Sequence, residues 1–195
     1  MTYRFAIYEI TTKFNILSEE FGLVHDYNPI ERVSSRLKSQ ERIIAKARAL
    51  GCGLAIDEIR ANIRDIAGVR VVCSFRSDVY TIFDMLCAQS DVTLLEVEDY
   101  IADPKPNGYR SLHALVQIPV FLSGGAQPVD VEIQLRTLAM DFWASLEHKI
   151  YYRYERDVPS ALLDELREAA ETAARLDARM ERLHQQVTEH WVQHD

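Results

Sequence analysis

Residues 131–136 carry the pattern that most restricts the possible folds. Apolar and polar side chains alternate there in the order Val131, Glu132, Ile133, Gln134, Leu135 and Arg136. Since successive side chains of a strand point to opposite faces of its sheet, this segment predicts a strand with one face in a hydrophobic core. The opposite, polar face either meets solvent, as in most half-exposed strands, or lines a cleft.

Further strands and helices are predicted on both sides of this segment. Runs rich in β-branched and aromatic residues predict strands at 66–75, 92–101, 111–121 and 128–135. Apolar spacings of three and four predict helices at 3–21, 40–50, 77–89, 138–152 and 160–191, and Pro29 indicates the start of one more. The expected fold class is mixed α/β (α+β): a mostly antiparallel sheet with one crossover helix, flanked by helices.

One compact domain is expected, because 195 residues can bury a single substantial core. We divide it into an N-terminal helical part at 1–30, a central core at 31–154 and a C-terminal helix at 155–195. Apolar residues recur in the last part at a nearly heptad spacing: Leu162, Leu166, Ala169, Ala173, Leu176, Met180, Leu183, Val187 and Trp191. Such a stripe either folds back onto the sheet or pairs with another subunit.

Charge and composition exclude several classes of protein. The 30 acidic and 22 basic residues give a formal net charge of −8, which argues against stable, sequence-independent binding to nucleic acid. No apolar run reaches the roughly 18 residues of a membrane span. The three cysteines, Cys52, Cys73 and Cys87, form no C-x-x-C pair, so neither a disulfide framework nor a zinc site is expected. We therefore expect a cytoplasmic protein.

Residues 31–48 are basic within this acidic chain. Six Lys and Arg against two Glu give the segment a net charge of +4. Lys38, Arg42 and Lys46 are spaced by four and would share one helical face, and Ser39 is the expected cap of a helix that begins at Gln40. Cations beside a helix N-terminus attract phosphate. The alternative is a solvated basic surface.

Asp65 stands immediately before the strand predicted at 66–75. A carboxylate at a strand end can hold Mg²⁺ on substrate phosphates, because this ion takes few protein ligands and completes its shell with water or phosphate. Taken alone, an Asp at such a position is more often a turn residue.

The loop at 103–113, DPKPNGYRSLH, combines two prolines with groups that can bind a nucleotide. Gly108 lets the backbone approach a ligand closely, and Tyr109 can stack on a base. The alternative is a turn whose tyrosine packs on the core. Neither a Walker-type nor a G-x-G-x-x-G loop occurs in the chain, so the common phosphate-binding loops are excluded. These residues indicate a nucleotide or phosphate cleft.

In order, these segments resemble the synthetase domain of the RelA/SpoT family. The matching blocks are SRLKS at 35–39 with Lys46, RDIAGVR at 64–70, YIADPKPNGYRSLH at 100–113, VEIQLRT at 131–137 and FWASLEHK at 142–149. The length resembles that of its single-domain members, the small alarmone synthetases. The resemblance implies a nucleotidyltransferase-like synthetase fold with a long C-terminal helix.

The resemblance also implies a reaction and roles for individual residues. Pyrophosphate would pass from ATP to the 3′-hydroxyl of GDP, GTP or GMP, with Mg²⁺ as cofactor, no hydrolase activity and assembly into homotetramers. Asp65 and Glu132 would bind the metal and act in catalysis, Glu132 as the base that takes the hydroxyl proton. We call the implied ATP-binding residues the ATP half: Arg36, Lys38, Ser39, Lys46 and Arg70. The implied residues for the guanine nucleotide form the acceptor half: Lys105, Asn107, Gly108, Tyr109, His113, Gln134 and Arg136.

Three other functions compete with this one. The first is an inactive relative that senses guanine nucleotides, the second a regulatory module that binds RNA, and the third another nucleotidyltransferase. Arg42 departs from the family pattern, which commonly has a small hydroxyl residue there. Control by bound alarmone is left open.

Overall fold

The computed structural model describes residues 1–153 and 159–192. Its strands form one five-stranded sheet in the order β1-β2-β5-β4-β3, in which only the β2–β5 pair is parallel. The strands are β1 (Ile30–Leu37), β2 (Ala67–Cys73), β3 (Thr93–Asp99), β4 (Leu112–Leu122) and β5 (Gly125–Thr137). The predicted mixed, mostly antiparallel sheet is confirmed.

Six helices surround this sheet in the described part of the chain. They are α1 (Thr2–Val24), α2 (Gln40–Leu50), α3 (Ile56–Asn62), α4 (Arg76–Cys87), α5 (Leu138–Arg153) and α6 (Ser160–Val192). The boundary placed between 154 and 155, and the side chain of Trp191 in the C-terminal stripe, lie outside the described residues. None of the described helices has the length and apolar composition needed to cross a bilayer.

One face of the sheet is the main hydrophobic core. Its inward side chains include Val69, Val71, Ile133 and Leu135, all essentially inaccessible to solvent. Helices α1 and α4 cover this face with a shared cluster of buried apolar residues. Burial of each such side chain contributes about 1.5–3 kcal/mol. The alternation in residues 131–136 therefore fixes which face of β5 is left for function.

The prediction of a helix that starts at Pro29 is wrong, because residues 30–37 form the edge strand β1. Most of its side chains are exposed, so the strand has no apolar alternation that the sequence could reveal. Its structure comes from backbone pairing with β2, a contact between distant parts of the chain. The turn before it is held by Asn28, whose Oδ1 accepts a hydrogen bond from the Ile30 N–H (3.0 Å).

Two smaller differences concern the segment after β1. Helix α2 begins at Gln40 with Ser39 as its N-cap, as predicted, so Lys38 precedes the helix and does not share a helical face with Arg42 and Lys46. Arg42 is exposed. The short helix α3 went unpredicted, since it has no buried residue and hence no apolar face.

Helix α6 folds back onto its own domain. Trp143 Nε1 donates to the Leu166 carbonyl (2.9 Å), and Thr137 Oγ1 donates to Asp177 Oδ2 (2.7 Å). Leu166 and Ala170 are buried in a second apolar cluster with Trp143. Further along the helix the stripe is exposed, at Leu176, Met180, Leu183 and Val187. The helix thus combines an internal docking surface with an uncovered apolar surface.

Candidate active site

The register of the sheet brings predicted site residues onto its second face. Residues directly opposite one another in neighbouring strands point to the same side. One row, from β1 to β3 in sheet order, consists of Arg36, Gly68, Glu132, Leu115 and Glu96. The next row consists of Ser34, Arg70, Gln134, His113 and Glu98. The pairing thus assembles parts of the ATP half and of the acceptor half on one surface.

Two cavities lie over these rows and share Glu132. The first, about 190 Å³, is lined by Ser34, Ser35, Arg36, Gly68, Val69, Arg70, Glu132 and Gln134. The second, about 220 Å³, is lined by Lys46, Asn62, Arg64, Asp65, Glu96, Glu98, His113, Ala114, Leu115 and Glu132. Asp65 and Glu132, the two carboxylates expected to act in catalysis, therefore line the same cavity. The polar face of β5 lines a cleft.

Asp65 is held by two lysines of the ATP half. Lys38 donates to its Oδ2, and Lys46 Nζ lies 2.9 Å from the same oxygen. Burial alone would raise the pKa of Asp65, but the hydrogen bonds and charges of Lys38 and Lys46 outweigh it, so the pKa is lowered. The other oxygen, Oδ1, is buried and has no hydrogen-bond partner. Asp65 is thus ionised at neutral pH and keeps one oxygen available.

The turn at Lys105–Tyr109 is built against helix α6. The Gly108 N–H donates to the Lys105 carbonyl (2.8 Å), and Gly108 has φ of +90°. A Cβ at this position would come within 2.5 Å of the Ala170 Cβ on α6. The glycine was expected to allow close approach of a ligand, but the close approach in the structure is to α6. A contact of Gly108 with the acceptor nucleotide stays a prediction.

Tyr109 is partly exposed, and a chain of hydrogen bonds orients it. Its ring packs against the cluster of Trp143 and Ala170, while Arg136 Nη2 donates to its hydroxyl (2.7 Å). The hydroxyl lies 2.8 Å from Nε2 of His113. Burial, followed by the charges of Arg136 and Lys105, lowers the pKa of His113 to about 4. A neutral imidazole can accept a hydrogen bond from the tyrosine hydroxyl, so the series of hydrogen bonds can run from Arg136 through Tyr109 to His113.

A buried carboxylate on α5 joins arginines from three strands. Asp141 Oδ1 lies 3.5 Å from Arg70 Nη1 and 3.4 Å from Arg136 Nη1, and its Oδ2 accepts from Arg32. Gln134 completes the group, because its Oε1 accepts from Arg70 Nη2 (3.4 Å) and Arg136 Nη2 (3.1 Å). One residue of the ATP half and two of the acceptor half are thereby linked.

The chain is similar over most of its length to proteins of one family. Residues 35–157 match the region found in RelA / SpoT proteins. The chain belongs to the RelA/SpoT family. The GTP pyrophosphokinase YwaC of Bacillus subtilis is 51% identical to it over 180 residues, which are 92% of this chain and 86% of YwaC.

Solved structures of RelA/SpoT-type synthetases share its fold. Small alarmone synthetase 1 from Bacillus subtilis, bound to its product pppGpp, matches with a TM-score of 0.88 and 38% identity, covering 96% of this chain and 95% of that one. The same enzyme bound to AMPCPP matches with a TM-score of 0.84 and 36% identity, covering 97% and 95%. The synthetase fold expected from the sequence is confirmed.

Several side chains around this RelA/SpoT cleft were not singled out in the sequence. Tyr100 packs edge-on against Tyr109 and His113, and Lys105 Nζ lies 4.2 Å above its ring. Glu147 Oε1 accepts from Asn107 Nδ2 (3.3 Å). Tyr100 and Glu147 both lie inside matching family blocks, and this position was the sequence signal that could have identified them as site residues. Asp141 stands one residue before the block at 142–149, and two of its three arginine partners, Arg32 and Arg70, are distant in sequence.

The cleft contains no preformed cage for a metal ion. Within 1–153 and 159–192, no group of three or more His, Cys, Asp or Glu side chains is arranged to hold one. Mg²⁺ does not require such a cage when substrate phosphates supply oxygens. The unpartnered Oδ1 of Asp65, in the cavity that Glu132 also lines, fits this way of binding.

Proposed function

We propose that this RelA/SpoT family member is a (p)ppGpp synthetase. It transfers pyrophosphate from ATP to the 3′-hydroxyl of GDP or GTP, and GMP is a further candidate acceptor. The observation that carries the proposal is the shared cavity of Asp65 and Glu132, which lies between the lysines of the ATP half and His113 of the acceptor half. In this proposal the two substrates bind to opposite sides of one cleft.

ATP is placed on the β1–β2 side of the cleft. Arg36 and Arg70 line the cavity of about 190 Å³, and planar guanidinium groups stack well on an adenine ring. Gly68 between them adds no side chain, which leaves the floor of the cavity open. Lys38, directly before the N-cap Ser39 of α2, and Lys46, further along that helix, then lie toward the phosphates.

Mg²⁺ is the proposed cofactor, with Asp65 and Glu132 as the residues that hold it on the phosphates of ATP. When bound, it neutralises charge on the transferred group. Lys38 and Lys46 contribute charge of the same sign from positions around Asp65. The protein's own share is positioning and charge neutralisation, the main requirements of phosphoryl-type transfer.

The guanine nucleotide is placed on the β4 side, with its base on Tyr109. Lys105, Asn107, Gly108, His113 and Gln134 surround its ribose and phosphates. Arg136, whose side chain is 2% exposed, serves this half by donating to the Tyr109 hydroxyl. The acceptor 3′-oxygen attacks the β-phosphorus of ATP, the bond from that phosphorus to the α–β bridging oxygen breaks, and AMP leaves with the electron pair. Glu132 takes the hydroxyl proton. Gln134 Nε2 donates to Glu132 Oε2 (3.0 Å), and this hydrogen bond along the polar face of β5 orients the carboxylate.

We further propose a cytoplasmic homo-oligomer, with a tetramer favoured. A groove of about 1050 Å³ runs along α6, and Phe142, Leu176 and Met180 line it while remaining largely exposed. An apolar groove beside an exposed apolar helix stripe is suited to a second copy of the chain. Measurement of the solution mass by light scattering tests this, and a monomer at micromolar concentration would contradict it.

The reaction is tested by incubating the protein with γ-labelled ATP, Mg²⁺ and each of GMP, GDP and GTP. We expect AMP and a guanine nucleotide that carries the intact labelled pyrophosphate, identified by mass. Free pyrophosphate would instead indicate another nucleotidyltransferase, and binding of nucleotides without turnover an inactive relative.

The role of Glu132 is tested by Glu132→Gln. The amide keeps the shape and can still accept from Gln134, but it is not a base, so turnover should fall by about 10²–10⁴-fold while nucleotide binding persists. Glu96→Gln removes the same charge from the same cavity and serves as the matched control, with an expected change below about threefold. Rates of Glu132→Gln close to wild type would remove Glu132 from the mechanism.

A further inference from the structure

We infer that Asp141 is a positioning residue that sets the orientation of both nucleotide-binding surfaces, Arg70 on the ATP side and Arg136 with Tyr109 on the acceptor side. The inference rests on the proposed function, because the roles of Arg70 and Tyr109 belong to it. Asp141 itself touches neither substrate in this scheme.

The carboxylate of Asp141 lies beside the buried positive charge of Arg136 and balances it. Its side chain is 9% exposed, and that of Arg136 is 2% exposed. A buried arginine needs a counter-charge, and a planar guanidinium is strongly directed by the oxygen that receives its hydrogen bonds. Asp141 also stands in the first turn of α5, where a negative charge is favourable. The position of Asp141 is therefore well determined by α5.

One oxygen of Asp141 faces two arginines. Arg70 Nη1 and Arg136 Nη1 both lie within 3.5 Å of Oδ1, so the carboxylate holds together two groups that repel each other. The charge of Arg70 contributes to the lowered pKa of Arg136, after burial as the main cause, and Asp141 opposes this effect. Without Asp141 the two guanidinium groups would separate.

The consequences of such a separation reach both substrates. Arg70 would shift within the cavity of the ATP half. Arg136 would lose the orientation in which it donates to the Tyr109 hydroxyl. Gln134 would also be affected, since its oxygen accepts from both arginines while its nitrogen donates to Glu132. A change at one buried oxygen would thus alter both binding surfaces and the proposed base.

The competing explanation is that Asp141 only docks α5 on the sheet. Arg32 then matters most, because it binds the second oxygen of Asp141 from the solvent side, with 59% of its side chain exposed. The two explanations differ in which arginine transmits the effect. They also differ in whether nucleotide binding changes beyond what a loss of stability would cause.

The test compares Asp141→Asn with wild type in turnover with ATP and GDP, in calorimetric binding of AMPCPP and of GDP, and in Tm. We expect the KM for ATP and the KM for GDP each to rise about tenfold or more, with both binding constants weakened in parallel. Asp91→Asn is the matched control: it breaks the partly buried Lys13–Asp91 ion pair (2.7 Å) elsewhere in the fold and should lower Tm without a change in KM.

Two further variants separate the explanations. Arg32→Ala should change both KM values less than about threefold, and a loss equal to that of Asp141→Asn would assign the effect to the docking of α5 and overturn the inference. Asp141→Glu keeps the charge but moves the shared oxygen, so intermediate KM values are expected. If Asp141→Asn does not fold, Asp141→Glu decides: unchanged KM values for both nucleotides overturn the inference. An inactive wild-type protein would instead contradict the proposed function.

Discussion

The two halves of the cleft bind charge in different ways. In the ATP half, two long side chains reach one carboxylate, Asp65: Lys38 from the residue before the α2 N-cap and Lys46 from within α2. In the acceptor half, the turn that contains Gly108 packs closely against α6. The Tyr109 hydroxyl is hydrogen-bonded to His113 and Arg136 in a partly buried network.

This difference teaches where each half is sensitive. The ion pair between Asp65 and Lys46, whose side chain is 40% exposed, can adapt to a charged ligand, because this lysine can exchange one anionic partner for another. Lys38 is only 9% exposed and adds its charge from a more enclosed position. A packed aromatic group cannot adapt in this way, since a shift of its support displaces the whole ring. We therefore expect substitutions in the ATP half to act through charge, and those in the acceptor half to act through packing.

Among the substitutions that compare the two halves, Asp65→Asn should have the largest effect, and it acts through charge. The variant removes a proposed metal ligand but leaves Lys38 and Lys46 free to bind phosphate. We expect turnover to fall by about 10²–10³-fold, while affinity for AMPCPP stays within about threefold of wild type. Steady-state kinetics and calorimetry measure the two quantities.

The control for this substitution is Asp57→Asn, which neutralises an exposed carboxylate on α3 paired only loosely with Arg60 (4.0 Å). It should leave turnover unchanged. If Asp65→Asn retained more than about a tenth of wild-type turnover, charge at this position would not limit the reaction, and the comparison between the halves would fail.

Gly108→Ala should act through packing. The new methyl group would meet Ala170 at 2.5 Å, and the residue would hold a positive φ of +90°. We expect a loss of about 1–3 kcal/mol in the free energy of unfolding and a rise in KM for GDP larger than that for ATP. Thermal or denaturant unfolding and kinetics with each substrate varied give both numbers.

Two additional variants make this prediction sharper. Gly124→Ala, in the β4–β5 turn, meets no atom within 4 Å and has no positive φ in the range that strains an alanine, so it is the control. Ala170→Gly combined with Gly108→Ala relieves the contact but not the backbone strain, and should restore part of the stability. Equal changes in the two KM values would show that the acceptor half is not separately supported by α6.

The sequence predicted those parts of the fold and site that depend on local pattern. The alternation of residues 131–136 identified the core face of β5 and left its polar face to solvent or to a cleft, and Ser39 identified the start of α2. Such features are readable because one strand or one helix end contains the whole signal. The family blocks added the residues of the two halves, and the sheet register places part of each half on one face.

The features that were missed arise from contacts between distant segments. Strand β1 exists because β2 pairs with it, so its own exposed side chains contain no strand pattern. Asp141 gains its environment from arginines on three strands, and Gly108 from a helix about 60 residues later. No local pattern records such neighbours, so only the folded structure reveals why these residues are there.

The smallest predicted effect concerns the support of the acceptor half by α6. Asp177 on this helix is buried and accepts a hydrogen bond from Thr137 (2.7 Å). Burial, the largest cause, raises its pKa, and Glu181 adds to this, while the Thr137 hydrogen bond and Arg76 oppose it. The folded state therefore binds the Asp177 proton more tightly than the unfolded chain does, and stability from this group is lost as pH rises through the folded pKa.

Asp177→Asn keeps an oxygen that can accept from Thr137 and removes the buried charge. At pH 7 the variant should be more stable than wild type by less than about 1 kcal/mol, or a few degrees in Tm. The gain should shrink as pH falls through the folded pKa of Asp177 toward 3.8, because wild type then takes up the proton. Asp164→Asn is the control: it neutralises an exposed carboxylate on the same helix that is paired with Arg167 (2.9 Å), and it should show no such gain.

Differential scanning calorimetry of the three proteins at several pH values measures this difference in stability. A Tm of Asp177→Asn below that of wild type at neutral pH would mean that α6 needs the charge of Asp177 itself. In that case the contrast drawn above would be wrong at this position, since charge as well as packing would support the acceptor half.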